Sequence, residues 1–273
     1  MEFSQAMNEA LEKASRIVAG SKYVVALGGA GMSAESGIPT YRGQGGLWTR
    51  IGEPDPRAFQ YFAADPKGWW ERMLDRDRNP QSPERSRFGN TMQTAKPNPG
   101  HYALVDLERM GKLKWIITQN VDNLHRTAGT KNITEIHGNR TLLRCMHCHF
   151  RIPRDEFEIN PNDLPPKCPQ CGGVIKGDGV MFGEPIPPDS LSACVRETNR
   201  CDCMLVLGTS GTVYPAAGFP MHAYQRGAHL IEINVDPTPI SGIVDVALRG
   251  PSGEFLPRIV TRVKELMAEK KGA

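Results

Sequence analysis

Four of the seven cysteines stand as two pairs, Cys145-x-x-Cys148 and Cys168-x-x-Cys171, with nineteen residues between the pairs. That is zinc-ribbon spacing, in which two short knuckles each bring two thiolates to one ion. Four thiolates close a tetrahedron and leave no position for a catalytic water, so one zinc held by Cys145, Cys148, Cys168 and Cys171 would be structural. His147 and His149 could compete as ligands, but the paired cysteines are the simpler closure. A redox reading is weaker, because neither pair opens a helix after a strand. Cys194, Cys201 and Cys203 lack a partner set and read as buried, reduced thiols.

A second group of residues suits an anion or a sugar. The apolar run at 23–27 leads into Gly28-Gly29-Ala30-Gly31-Met32-Ser33-Ala34, a G-x-G-x-x-A pattern at Gly29, Gly31 and Ala34. Residues without bulk let backbone N–H groups and a helix start approach a pyrophosphate, although the same pattern also makes a tight turn. The second strand ending in an acid that usually follows about 20 positions later is missing, and the chain instead runs through Ser36-Gly37-Ile38-Pro39-Thr40-Tyr41-Arg42-Gly43. Asn234, closing Ile231-Glu232-Ile233-Asn234, is the candidate to hold a ribose instead. No G-x-x-x-x-G-K-[ST] occurs, which excludes a P-loop nucleotidase.

Gln119, Asn120 and Asp122 directly follow the apolar stretch 115–118, at what would be the carboxyl end of a strand, where α/β sheets bind ligands. They would equally cap the next helix. His137 ends another short apolar stretch, just before Gly138. Its imidazole, with an ordinary pKa of about 6.5, can accept a proton near neutrality, as a general base must. A lone histidine also serves as a structural hydrogen-bonding residue.

The elements that would position these residues follow from periodicity. Phe3, Met7, Leu11, Ala14 and Val18 predict an amphipathic helix over 3–18, stopped by Gly20, and then a strand buried on both faces at 23–27. Residues 28–46 read as loop. Residues 55–78 read as helical, with aromatic residues at Phe59, Tyr61, Phe62, Trp69 and Trp70, and 79–99, with four prolines, as a linker. Helix and strand then alternate: helix 100–110, strand 115–118, helix 122–128, strand 134–137. After the cysteine-rich stretch 145–176 come helix 189–199, strand 204–207, helix 214–226, strands 230–234 and 244–248, and helix 253–268.

Such alternation predicts an α/β fold, a Rossmann-like doubly wound parallel sheet covered on both faces. It would be built from 1–42, 99–139 and 177–273, with a helical insert at 43–98 and a smaller zinc-ribbon module inserted at 140–176.

Composition bounds the class. The chain has 33 basic and 30 acidic residues, a net charge of +3 that is too slight to argue for nucleic acid. Its 28 glycines and 22 prolines fall short of low-complexity composition. The apolar run at 23–30 is far shorter than the ~20 residues of a membrane span. Met1-Glu2-Phe3-Ser4-Gln5 has no apolar leader region. The expectation is no membrane association and a reducing compartment, the cytoplasm.

Ordered along the chain, several motifs resemble those of the sirtuins, NAD-dependent protein lysine deacylases. They are Gly28 through Pro39 with Tyr41-Arg42, Thr118-Gln119-Asn120-Val121-Asp122 with Leu124-His125, and Ile136-His137-Gly138. Then follow Val180-Met181-Phe182-Gly183-Glu184 and Gly208-Thr209-Ser210 with Val213 and Pro215-Ala216. With the paired cysteines, the resemblance spans about residues 20–260. It implies NAD as cofactor, bound by Gly29, Ala30, Gly31, Ser33, Ile38, Tyr41, Arg42 and Gln119, and on the adenosine side by Gly208, Thr209, Ser210, Asn234 and Val246. Asn120 and Asp122 would recognise the nicotinamide carboxamide and ribose, and His137 would be the base that activates a ribose hydroxyl. The implied reaction starts when the acyl-lysine carbonyl oxygen attacks C1′ and nicotinamide leaves. His137 then promotes attack by the 2′-hydroxyl, giving free lysine and O-acyl-ADP-ribose.

The resemblance also implies acylated-lysine protein substrates. Read from its residues alone, 180–184 is an edge strand ending in a turn. In sirtuins the matching stretch pairs with an extended peptide, so Val180, Phe182, Gly183 and Glu184, with Val213, would touch substrate. Where much of the family has Asp-Phe-Arg, this chain has Thr40-Tyr41-Arg42, which resembles the desuccinylase branch. That branch sets a Tyr and an Arg three residues apart; here Met73 and Arg76 match those positions, so half of the pair is missing. Met73 makes the acyl end more apolar, and Arg76, among Asp75, Asp77 and Arg78, could grip a carboxylate or face solvent. The expected activity is deacetylation, with longer neutral acyl groups accepted and succinyl weak.

Two rivals remain. An NAD glycohydrolase or ADP-ribosyltransferase would use the same pocket with water or a protein acceptor. A zinc-ribbon nucleic-acid-binding protein would use Arg140, Arg144, Arg151, Arg154, Lys167 and Lys176, but it leaves the other motifs unexplained.

Overall fold

Val24–Gly28 and Cys203–Leu207 are buried at every position. Strands with no solvent face belong in the middle of a sheet covered on both sides. The computed structural model, which describes residues 4–42, 46–79 and 83–272, places them there. The chain begins α1 (Gln5–Gly20), β1 (Val24–Gly28), a 3-10 turn over Ala30–Ser36, α2 (Leu47–Ile51), α3 (Ala58–Ala64), α4 (Pro66–Arg78) and α5 (Pro83–Thr94). It continues through α6 (Pro99–Arg109), β2 (Leu113–Thr118), α7 (Leu124–Ala128), β3 (Ile133–Glu135), β4 (Leu142–Cys145), β5 (Arg151–Pro153) and β6 (Ile175–Gly177). It closes with α8 (Pro188–Arg200), β7 (Cys203–Leu207), α9 (Phe219–Gln225), β8 (His229–Asn234), β9 (Val246–Arg249) and α10 (Ser252–Gly272).

The large sheet has the order β3-β2-β1-β7-β8-β9, and every neighbouring pair is parallel. Strand order therefore reverses between β1 and β7, and the crevice beyond their carboxyl ends is where such sheets bind ligands. Gly28 is in register with both Thr118 and Leu207, so three strands end level at that crevice. Successive side chains on β1 serve opposite layers, as the two-residue period of a strand requires. Val24 and Ala26 pack with Ala14 and Val18 of α1, Leu104 and Leu107 of α6 and Leu256 and Ile259 of α10. Val25 and Leu27 pack with Cys194 of α8 and Phe219 and Ala223 of α9.

A second, antiparallel sheet has the order β5-β4-β6. Its core joins Leu143, Cys145, Cys168 and Ile175 to Trp70 of α4, whose indole N–H donates to Ile175 O at 2.8 Å. The helical insert is thereby fastened to the cysteine-bearing module. Among the described residues no helix is long and apolar enough to cross a membrane.

Several elements differ from the sequence expectation. The supposed linker contains α5, which starts at Pro83, a residue well suited to a first helical position. Its Phe88 and Met92 pack on Ile38 and Leu124. The helix expected over 214–226 starts later, with a 3-10 turn at Ala216–Gly218 before α9. β9 begins two residues later than expected, and β3 ends at Glu135, so His137 lies in the turn beyond it. Residues 180–184 form a turn rather than a strand. Phe3, which was to open the first helix, lies outside the described residues.

Candidate active site

The floor of the crevice is two interlocked loops. The Gly29 N–H donates to Leu207 O at 2.9 Å, and the Gly31 N–H to Gly208 O at 2.8 Å. A Cβ on Gly29 would lie 2.7 Å from Thr209 Cβ, and one on Gly31 2.8 Å from Gly208 Cα. Gly208 has φ +54°, and a Cβ there would lie 2.5 Å from Gly31 C. Glycine at these three positions is required for the loops after β1 and β7 to meet at all. The 3-10 turn that follows starts at Gly29 without a side-chain cap.

Polar side chains from the neighbouring strand ends join above this floor. Asn120 Nδ2 donates to Gly29 O (3.0 Å) and to Ser33 Oγ (3.1 Å), and Ser33 Oγ donates to Asp122 Oδ2 (2.6 Å). Asp122 Oδ1 accepts the Leu124 N–H at 2.9 Å, so the helix-capping role read from sequence is real as well. Burial pushes the Asp122 carboxyl up, opposed by its bonds from Ser33 and Leu124. Gln119 Nε2 donates to Thr209 Oγ1 and Asn234 Nδ2 to Thr209 O, each at 2.8 Å. One network therefore spans β1, β2, β7 and β8.

His137 is tied to the same network. Its Nδ1 lies 3.1 Å from Gln119 O. A carbonyl only accepts, so Nδ1 carries the hydrogen and Nε2 keeps a lone pair. Burial lowers the imidazole pKa, with the bond to Gln119 O opposing. His137 is thus a neutral ring held in one tautomer, which is what a general base needs. His125 and His101 pack with ring centroids 4.8 Å apart, and burial lowers their pKa values to about 3 and about 4, so both are neutral structural rings near neutrality.

The other residues singled out from sequence fall unevenly around the crevice. Ile38 is buried against Met92 and Leu124, and Ala30 and Val213 are half-buried. The Tyr41 ring lies 5.1 Å from that of Trp48, and burial raises its phenol pKa. Arg42 pairs with Glu53 at 3.3 Å, 4.5 Å above the Trp48 ring. Ser210 is exposed and bonds Thr212. Val246 is a correction. It opens β9 in register with Ile231, three residues short of the end where Asn234 faces Arg249, and it is buried in the core. It therefore belongs to the sheet's interior rather than to an adenosine contact.

Met73 packs against the zinc-module core. Arg76 is exposed, donates to Arg72 O at 3.2 Å, and with Asp55, Tyr61, Trp69 and Arg72 lines an open cavity of about 600 Å³.

The four cysteines converge. Their Sγ atoms lie within 4.8 Å of one another, with Cys145–Cys171 at 3.5 Å and Cys148–Cys168 at 3.7 Å. A tetrahedron with Zn–S bonds of about 2.3 Å has edges of about 3.8 Å, so the set fits one zinc. The His147 and Cys148 N–H groups point at Cys145 Sγ, at 3.3 and 3.5 Å, as they would toward a thiolate. Neither His147 nor His149 belongs to the cluster.

Sequence reading missed a set of buried charges beside this module: Arg144, Lys176, Asp178 and Glu184. Of these, Glu184 enters the sequence analysis as a substrate contact, and Arg144 and Lys176 only as exposed basic residues for the rival nucleic-acid reading, which their burial does not suit. Nothing in the pattern of a charged residue beside a cysteine knuckle distinguishes burial from exposure.

A doubly wound sheet with a neutral, held histidine and an Asn–Asp pair at its switch point is the framework of a dinucleotide-using enzyme. The chain belongs to the Sir2 family, whose sequence model matches residues 29–215. It is 44% identical to an NAD-dependent protein deacylase of Pyrococcus abyssi over 257 residues, covering 93% of this chain and 98% of that protein. It is 40% identical to NAD-dependent protein deacylase 2 of Archaeoglobus fulgidus, covering 97% and 100% of the two chains. Among solved structures, a Sir2 homologue in complex with NAD is 41% identical, with a TM-score of 0.76 over 94% of each chain.

Proposed function

We propose that this chain is an NAD-dependent protein lysine deacylase that releases nicotinamide, O-acyl-ADP-ribose and free lysine. The observation that carries the reading is His137, whose Nδ1–H is committed to Gln119 O while Nε2 is left to take a proton. Bound NAD supplies an electrophilic ribose carbon with nicotinamide as its leaving group. The donor set suits it. Both Nδ2 hydrogens of Asn120 are used on Gly29 and Ser33, so its Oδ1 has the capacity to accept from a carboxamide N–H. Ser33 and Leu124 hold Asp122 in one orientation beside it.

Gly29, Ala30 and Gly31 would face the pyrophosphate, with Tyr41 and Arg42 on the covering loop. Thr209, Ser210 and Asn234 would face the adenosine half. His137 Nε2 would take the proton from a ribose hydroxyl, which would make that hydroxyl a nucleophile. Val180, Phe182, Gly183, Glu184 and Val213 would hold the acylated peptide. Four thiolates for zinc, and buried free thiols at Cys194, Cys201 and Cys203, fit a reducing compartment such as the cytoplasm.

The test is turnover of acetyl-, longer neutral acyl- and succinyl-lysine peptides, read by mass spectrometry with and without NAD. Acetyl and longer neutral peptides are expected to react only when NAD is present. Nicotinamide release without peptide is expected to be below about a tenth of that with it; peptide-independent release would favour the glycohydrolase reading. Arg76 is solvated, and exposed ion pairs contribute about 0–1 kcal/mol, at most roughly fivefold in selectivity. Succinyl is therefore expected to be the weaker substrate. A succinyl rate about tenfold above acetyl, lost in Arg76→Ala, would overturn this.

A further inference from the structure

Arg144 on β4 and Lys176 on β6 face each other directly across the antiparallel pair, 1% and 0% exposed. Like charges in such a position repel, and burial adds a large desolvation cost for each. Two buried carboxylates compensate. Asp178 Oδ1 accepts from Arg144 Nε at 2.9 Å and from Arg151 Nε at 3.0 Å. Glu184 Oε1 accepts from Arg144 Nη2 at 2.5 Å, and Oε2 from Lys176 Nζ at 3.0 Å. Lys176 Nζ also donates to the carbonyls of Gly177 (2.8 Å) and Gly179 (2.6 Å).

The two carboxylates bracket the segment 179–183, which belongs to neither sheet. Glu184 folds back to accept the Met181 N–H at 2.8 Å, and Asp178 Oδ2 accepts the Asn139 N–H at 2.8 Å. No ladder of strand neighbours sets the segment's shape. The buried charges beneath it do, together with two backbone bonds, from the Val180 N–H to His137 O at 2.9 Å and from the Phe59 N–H to Phe182 O at 3.1 Å. Well-packed apolar residues in the same place would be as stable or more so. A fully paired ionic cluster instead selects a single geometry, since any displacement strands a buried charge.

We propose that Arg144 and Lys176, with Arg151 at the rim, are positioning residues that hold 179–183 in the shape that receives the substrate peptide. The inference rests on the deacylase reading and on that segment's place in it. It also gives the zinc site a route to activity, because Cys145 directly follows Arg144 on β4.

The test is steady-state kinetics on an acetyl-lysine peptide, with peptide Kd measured by fluorescence anisotropy and zinc measured per chain. Lys176→Met is expected to raise peptide KM and Kd by about tenfold or more, with kcat and the KM for NAD within about threefold and zinc retained. Should that variant fail to fold, Arg151→Met removes a guanidinium that is already 27% exposed. It is expected to raise peptide KM by about threefold with the same split. Unchanged peptide KM in a folded variant, or equal losses toward peptide and NAD, would overturn the proposal. A wild-type protein that deacylates no peptide would instead defeat the functional reading, before any variant is compared.

Discussion

Replacing His137 by alanine is expected to lower deacylation by about 10²–10⁴-fold while leaving NAD affinity within about threefold. The split follows from the geometry. His137 hangs from Gln119 by a backbone carbonyl, whereas the Asn120–Ser33–Asp122 chain and the Gln119–Thr209 bond stand without its side chain. Single-turnover mass spectrometry with an acetyl-lysine peptide, beside calorimetric NAD binding, measures both quantities. A variant that kept more than about a tenth of the wild-type rate would remove His137 from the base role.

The pH profile supplies an independent reading. The neutral imidazole is the active form, and burial holds its pKa below the ordinary value of about 6.5. As pH falls, the protonated fraction grows only below that value. Activity is thus expected to persist through pH of about 6.5 and to fall on the acid side of it. His137→Ala should lack this acid limb in whatever activity remains.

How legible this was in the sequence depended on whether spacing alone decides position. The order of the large sheet is not written in its strands, since burial does not name a neighbour. That the sheet is covered on both faces is written there, in residues such as Val24–Gly28 and Cys203–Leu207, because a short, almost wholly apolar strand belongs in a sheet's interior. His137, Asn120 and Asp122 were findable for the same reason: each follows an apolar run, and the carboxyl ends of parallel strands meet at the crevice. Val246 was matched to an adenosine contact by resemblance alone, and a resemblance does not register that the residue opens β9, three residues short of that strand's crevice end. α5 was hidden by prolines, two of which (Pro83 and Pro99) stand at helix starts, where proline favours the helix. The Arg144–Lys176 pair was illegible for a deeper reason. A charge is buried only if its counterions arrive from elsewhere in the chain, and Asp178 and Glu184 lie 34 and 40 residues from Arg144.

The second large effect is expected at the metal site. Cys168→Ala should reduce bound zinc from one per chain to below about a tenth and markedly lower the unfolding temperature. Structural zinc contributes about 10–16 kcal/mol of apparent binding free energy, most of which is folding free energy for the module that holds it. The module has little else: β4, β5 and β6 are four, three and three residues long, and small antiparallel sheets are marginal without further packing. Cys168 is also part of the core formed with Leu143, Ile175 and Trp70, so its loss loosens the seat of α4 as well. Cys194→Ala is the contrasting variant: that thiol is buried against the large sheet, away from the cluster, and its removal should leave zinc content unchanged. Plasma mass spectrometry and differential scanning calorimetry on both variants separate the cases. Full zinc and an unchanged transition in Cys168→Ala would mean that three thiolates suffice, and the site would then have an open position of the kind a catalytic metal keeps.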